Sequence, residues 1–486
     1  MSPRRAALAA ALAAGALAGC TVGPNFTPPA PPAPAAGYAG SDGGVADFGS
    51  GPQGRWWEGF GSSALDALVA RALAHNQTLA MSDATLEQAR QRIAEVAGRA
   101  LPQVDANARA EHEEINLSAF GFSPAALGGG AAFANPVFNL YTLGGGVSYD
   151  LDLFRRNARA LERARAEGEA QRQQTAAAHL TIAARVVTQV LTIAAIRDHI
   201  AAMHALLADS DRNVQLTELR QKLGAGTLLD VLTAQAQMAE DKRALPALDQ
   251  ELAAARDMLA ILVGTSPAEL GPTDFSLAQF TLPARVPVAL PSALVHARPD
   301  ILTAEARLHA ATATVGIATA NLYPDLTLGA SYSQAANGIG SLFASQYRGF
   351  DIFGGLAAPI FHGGTLKAQK REAEAELRAS AASYRETVLE AFQQVSDLLS
   401  AITTDQAALT AAHDSAAISA RSLDLSRKSF RIGNSGVLQV LTANTTNQRA
   451  QLAVIDAEGR QYLNIARLYA ATAGGWLPDR NLQRQP

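Results

Sequence analysis

The side chain best suited to covalent chemistry occurs once in this 486-residue chain. Cys20 is the only cysteine, so no internal disulfide can form. Its surroundings say what the thiol is for. Arg4 and Arg5 precede an apolar run from Ala6 to Ala18, and Leu17-Ala18-Gly19 leads into the cysteine. That is a secretory signal with small residues at the cut. The apolar run is too short to span a bilayer comfortably. Elsewhere the chemistry is sparse. There is no His-Glu-x-x-His, no paired-cysteine site and no phosphate-loop lysine. The nine histidines are scattered and read as surface or helix residues. Gly144-Gly145-Gly146 lacks the following helix of a dinucleotide loop and suits a barrel strand better. No catalytic residue, cofactor or metal site is expected, and the chain does not read as an enzyme.

A signal cut just before cysteine resembles the bacterial lipoprotein box, in which the thiol is lipidated and becomes residue one. Residue 21 is threonine, not the aspartate that resembles an inner-membrane retention signal. Residues 1–19 are therefore read as signal peptide, with Cys20 lipidated at the outer membrane. Residues 20–54 read as the anchor and an extended tether, because Thr27-Pro28-Pro29-Ala30-Pro31-Pro32-Ala33-Pro34 can be neither helix nor central strand.

The elements beyond the tether repeat. The composition is 48% apolar but only 6% aromatic, and much of the apolar share is alanine, which favours closely packed helices over a bulky core. The net charge of −4, with basic and acidic residues interspersed, argues against a nucleic-acid partner. Leu79, Leu86, Ala89 and Pro102 recur as Ile301, Leu308, Ala311 and Pro324. Leu223-Gly224 and Val231-Leu232-Thr233-Ala234 recur as Ile432-Gly433 and Val440-Leu441-Thr442-Ala443. Two copies of roughly 200 residues imply an internal duplication, not a short-repeat solenoid. The first repeat is placed at 55–264 and the second at 298–475, with a linker at 265–297 and a tail at 476–486.

Each copy carries a helix, two strands, a very long helix, a tight turn and a returning helix. The strands show period-two alternation. Val104, Ala106, Ala108 and Ala110 oppose Asp105, Asn107, Arg109 and Glu111; Val147, Tyr149, Leu151 and Leu153 oppose Ser148, Asp150 and Asp152. Leu326, Leu328, Ala330 and Tyr332 alternate with Thr327, Gly329, Ser331 and Ser333, and a less regular strand falls near Phe350 to Ile360. Linkers at 117–138 and 337–348 carry Gly, Ser and Asn, as surface loops do. Proline is absent from Arg155 to Leu223 and from Thr365 to Ile432, so each stretch could form a helix of about 100 Å. Heptad seams run through Val186, Ile193, Ile200, Leu207 and Val214, and through Val388, Val395, Ile402 and Leu409. Such seams predict coiled-coil packing. Gly224 and Gly433 sit at the helix reversals, where positive φ is needed.

Four strands with one apolar and one polar face suit a membrane wall, with lipid on one side and water on the other. Open strand edges are not tolerated in lipid, so one chain cannot close the wall. Two chains would supply eight strands and three would supply twelve.

The sequence resembles the TolC-like outer-membrane efflux proteins, of the OprM/NodT-type lipoprotein branch. The carrying residues are Cys20-Thr21-Val22-Gly23-Pro24-Asn25-Phe26, Trp56-Trp57, Phe138-Asn139-Leu140-Tyr141, Val147 to Phe154, Arg298-Pro299-Asp300-Ile301 and the two glycine turns. The resemblance implies a mainly α fold with membrane β. A long coiled-coil α-barrel would carry four strands per chain, completing a trimeric twelve-stranded β-barrel, with a mixed equatorial region near 265–297. It implies a homotrimeric exit duct for drugs or other small molecules, working with a periplasmic adaptor and an inner-membrane transporter, most readily of the RND type. Leu223, Gly224, Ala225 and Gly226, with Ile432, Gly433, Asn434, Ser435 and Gly436, would form the periplasmic tips that meet the adaptor. The resemblance also places a ring of aspartates after the second turn, tied by a tyrosine before it. Here those positions hold Gln439, Thr442 and Phe430, while Asp230, the first-copy counterpart of Gln439, keeps a carboxylate. The gate is therefore expected to rest on apolar packing around Phe430. Two other readings stay open: a duct for type I protein secretion, and a structural coiled-coil lipoprotein with no pore. Five methionines and no histidine cluster argue against metal export.

Overall fold

The computed structural model describes residues 22–30, 38, 46–49, 54–116, 119, 135–271, 273–282 and 285–473. The signal peptide, Cys20, most of the 117–138 linker and the 476–486 tail lie outside them. The chain forms two compact units. The first holds residues up to 27, 88–168 and 306–381; the second holds 28–87, 169–305 and 382 onward.

Along the chain the elements are β1 (Ala46–Gly49), α1 (Ser63–His75), α2 (Gln77–Arg99), β2 (Gln103–Glu114), β3 (Val137–Asp150), α3 (Arg156–Lys222), α4 (Leu228–Leu262), β4 (Val286–Ala289), α5 (Pro291–Val295), α6 (Pro299–Ala320), β5 (Asp325–Ala336), β6 (Arg348–Ala357), α7 (Thr365–Arg431) and α8 (Val437–Thr472). From α2 to α4 and from α6 to α8 the order is the same.

In the first unit, β2, β3, β5 and β6 form an antiparallel sheet in that order. Register turns the alternation into two faces. Val104 pairs Val147, which pairs Ala330, which pairs Ile352, making one apolar row. The next row along is Asp105, Gly146, Ser331 and Asp351. The alternation read through Leu153 outlasts its strand, because β3 ends at Asp150. Asp150 and Asp325 both accept from Arg156, at 2.7 and 2.9 Å. Asp152 turns the backbone to φ +51° and accepts from the backbone N–H groups of Asn157 and Ala158 at 2.8 Å each. Those N–H groups have no intrahelical partner, so the carboxylate both ends the strand and starts α3.

The second unit is helical, with the short parallel pair β1 and β4. Heptad residues contribute to its core: Val186, Ile193, Val388 and Val395 are all fully buried, whereas Leu207 and Leu409 are half-buried. The 265–297 linker packs Phe275, Leu277, Phe280, Val288 and Leu294 inward. Tyr462 donates to the carbonyl of Phe280 at 2.9 Å.

The described parts of the stretch read as a tether are fastened down. Gly23, at φ +87°, approaches α6 so closely that a Cβ there would stand 2.6 Å from the Cα of Gly316. Asn25 accepts from the buried Arg159 at 2.7 Å, and Phe26 stacks on His309 with ring centroids 4.3 Å apart. Glu162 joins the two contacts, accepting from Arg159 at 2.7 Å and bonding His309 at 3.0 Å. Burial alone would raise the pKa of Glu162, but these hydrogen bonds and charges outweigh it and hold the carboxyl below its ordinary value. In the second unit, the buried Tyr38 donates to the carbonyl of Ala289 at 3.0 Å. A proline-rich segment cannot be helical, yet extended chain still offers side chains to a groove.

Gly23→Val should release residues 22–27 from α6, since its Cβ meets backbone that cannot move aside. Asn25→Ala should weaken the docking by about 1 kcal/mol. Chymotrypsin cleavage after Phe26 reads both, and rates equal to wild type would show that these contacts do not hold the segment.

Candidate functional site

The two helix reversals are built alike from the backbone outward. α3 ends at Lys222, Gly224 takes φ +74°, and the Ala225 N–H donates to the Arg220 carbonyl at 2.8 Å. α7 ends at Arg431, Gly433 takes φ +84°, and the Asn434 N–H donates to the Ser429 carbonyl at 2.9 Å. A side chain at positive φ is strained, so glycine closes both turns. Leu223, Leu228 and Leu229 at one reversal, and Ile432 and Leu438 at the other, expose large apolar side chains.

The reversals differ in what starts the returning helix. Thr227 caps α4: its hydroxyl accepts from the Asp230 N–H at 3.2 Å, while Asp230 accepts from the Thr227 N–H at 2.9 Å and its hydroxyl at 2.8 Å. This reciprocal box satisfies donors that the first turn leaves orphaned. α8 starts from Gly436 with no side-chain cap. Asp230 is thus committed to its own helix start. The Thr227 backbone N–H, then its hydroxyl, hold the Asp230 carboxyl below its ordinary pKa. A carboxylate depressed on folding contributes at neutral pH, and that contribution is lost only as pH falls through the depressed value.

Phe430 is buried, packed among Val214, Ala234, Val437, Val440 and Leu441. Gln439 and Thr442 are exposed on α8, and the Thr442 hydroxyl donates to the Leu438 carbonyl at 2.9 Å. The four residues assigned to the gate are therefore not one hydrogen-bonded cluster: the Asp230 carboxylate bonds Thr227 and no hydrogen bond joins it to Phe430.

The sequence reading missed Arg220. Its guanidinium lies 4.3 Å from the centroid of the Phe430 ring. It also donates to the Phe430 carbonyl and, at 3.2 Å, to the Ala225 carbonyl. One side chain on α3 thereby holds its own turn and the end of α7. A second tie lies deeper, where Arg427 of α7 donates to Asp209 of α3 at 3.1 Å. The only sequence hint was a basic residue in the last turn of α3, where a cation suits the helix dipole. Nothing in the spacing joins it to an aromatic in the other repeat.

The sheet supplies the other functional surface. On one face Val104, Phe350 and Ile352 are 77%, 80% and 78% exposed, too apolar a surface to leave facing water. The opposite face carries Asp105, Asn107, Ser148, Thr327, Ser331 and Asp351. Among the described residues no group of three or more His, Cys, Asp or Glu is placed to hold a metal.

Arg220→Ala should weaken the tie between the turns by about 1–2 kcal/mol, from the cation–π contact and the lost carbonyl bonds. Amide exchange at Ala225 and Asn434 should then be on the order of tenfold faster, since 1.4 kcal/mol is a factor of ten. Arg220→Lys should recover only part, because an ammonium lacks the planar fork. Equal rates in all three proteins would remove Arg220 from the tie.

The model of the family described as outer membrane efflux protein matches residues 68–265 and 290–474, stretches that each take in one set of the repeated elements. The chain is 30% identical over 427 residues to the pyoverdine export outer membrane protein OpmQ of Pseudomonas aeruginosa, covering 88% of each. It is 29% identical over 479 residues to the toluene efflux pump outer membrane protein TtgC of Pseudomonas putida, covering 96% of this chain and 95% of that one. Its fold superposes on the outer-membrane channel OprN with a TM-score of 0.82 at 28% identity, over 94% of this chain and 100% of that one. Membrane strands, paired helical hairpins and both matched repeats lead to one conclusion: the chain belongs to the outer membrane efflux protein family, as a channel subunit in the outer membrane.

Proposed function

We propose that this chain assembles as a homotrimer, anchored by a lipid on Cys20, and serves as the passive exit duct of a tripartite pump for small molecules. The observation that carries the reading is the sheet itself. It has an exposed apolar face, a polar face and two edges that no described strand pairs, and further copies of the chain can close it. Three copies make a twelve-stranded barrel, and the two repeats in each give the helices a near-sixfold ring. The relatives named for pyoverdine export and toluene efflux support small molecules as cargo. A proton-driven transporter of the RND type would deliver them.

The exposed leucines and isoleucine around Gly224 and Gly433 suit an apolar contact with a periplasmic adaptor. The gate between them is held by Phe430 in its apolar seat and by Arg220 above it, in place of an acidic ring.

Native mass spectrometry of the detergent-purified protein should find trimers whose chains start at an acylated residue 20. The trimers should conduct in planar bilayers. Stable monomers or dimers, or a trimer without conductance, would contradict the duct.

Introducing aspartate with Gln439→Asp and Thr442→Asp should raise cation selectivity and bring block by trivalent cations, because charge clustered at a narrow mouth focuses the field. The unaltered channel should show little of either. Strong block of the unaltered channel that survives Asp230→Asn would reveal another acidic ring and overturn the apolar gate.

A further inference from the structure

On the polar face of the sheet, the side chains bordering Gly329 within the strands are small. Gly146 and Ser148 of β3, Thr327 and Ser331 of β5 and Gly355 of β6 offer little bulk. Phe353 is the exception. It pairs with Gly329, so alternation puts it on the same face as Ser331 and Asp351, away from Ile352. A phenyl ring there has no lipid to enter and remains 49% exposed.

The ring does not stand free. A Cβ at Gly329 would overlap the ring's Cζ and lie 2.5 Å from Cε1, well inside van der Waals contact. The ring therefore crosses from β6 onto β5 and rests where Gly329 has no side chain. Gly329 is not at positive φ, so backbone conformation does not explain a glycine there. What glycine supplies is room: any other residue would push the ring off the wall.

We propose that Gly329 and Phe353 together set the bore of the barrel. Gly329 is the seat that keeps the aromatic flat, and Phe353 is the apolar ledge that solutes pass. A flat ring narrows the duct by its thickness; a ring displaced into the lumen narrows it by its length. Each chain contributes one such pair at the same height. This rests on reading the polar face as the water-filled one.

The test is single-channel conductance of the full-length trimer in planar bilayers. Gly329→Val should lower conductance by driving the ring inward. Phe353→Ala should conduct at least as well as the unaltered channel. Gly329→Val combined with Phe353→Ala should return to the Phe353→Ala level, because no ring is left to displace. Where Gly329→Val fails to assemble, Gly329→Ala serves, since its single methyl already overlaps the ring. A Gly329 variant that conducts like the unaltered channel, or a double variant that stays low, overturns the proposal. Ser331→Cys treated with a charged methanethiosulfonate separates the two layers of the argument. If the reagent leaves the current unchanged, the polar face is not the lumen and both readings fall. If it cuts the current while the Gly329 variants conduct normally, the seat alone falls.

Discussion

Backbone hydrogen bonding in lipid is the constraint on which this structure turns. Inside a bilayer an unpaired N–H or C=O costs several kcal/mol, because no water is there to receive it. β2 and β6 flank the sheet, so each has one edge without a partner among the described residues. Each repeat brings only one hairpin, and the β3–β5 pairing joins the two repeats into one wall. Where the hairpins leave the sheet, Arg156 binds Asp150 of the first repeat and Asp325 of the second. The duplication is thereby welded at its base, while the outer edges are left for other copies of the chain.

The two repeats are alike in backbone and unlike in chemistry at their far ends. Both turn on a glycine at positive φ. One returning helix has a reciprocal cap made by Thr227 and Asp230, whereas the other begins at Gly436 without a side-chain cap. The Asp230 carboxylate is thereby held by its own helix start. Arg220 then links the two ends through an aromatic ring and two carbonyls. Such asymmetry means that the two helix ends are held by different chemistry. An arginine on a ring and the Arg427–Asp209 pair tie α3 to α7.

Glycine works in three physical ways here. At Gly224 and Gly433 it permits a left-handed backbone. At Gly23 it permits chain to lie on helix. At Gly329 it makes space for a neighbour's ring on a face where bulk would obstruct flow. Only the first use can be read from a glycine's position between two helical runs.

The sequence by itself determined the elements and their order, because these depend on periodicity and on local chain chemistry. Proline-free heptads read from Arg155 to Leu223 correspond to α3 at Arg156–Lys222, and those from Thr365 to Ile432 to α7 at Thr365–Arg431. Period-two alternation located the strands, although it ran past Asp150, where side-chain capping ends β3 without disturbing the pattern. The four gate positions could be named from the repeat and the resemblance, but not their partners. Tertiary structure alone decided that Arg220 meets Phe430, that Asn25 meets Arg159 and that Phe353 covers Gly329. These contacts join residues that are far apart in the chain or that meet only through strand register. A pair of that kind leaves no period and no motif in the sequence. It exists only once packing and hydrogen-bond registry have brought two distant surfaces together.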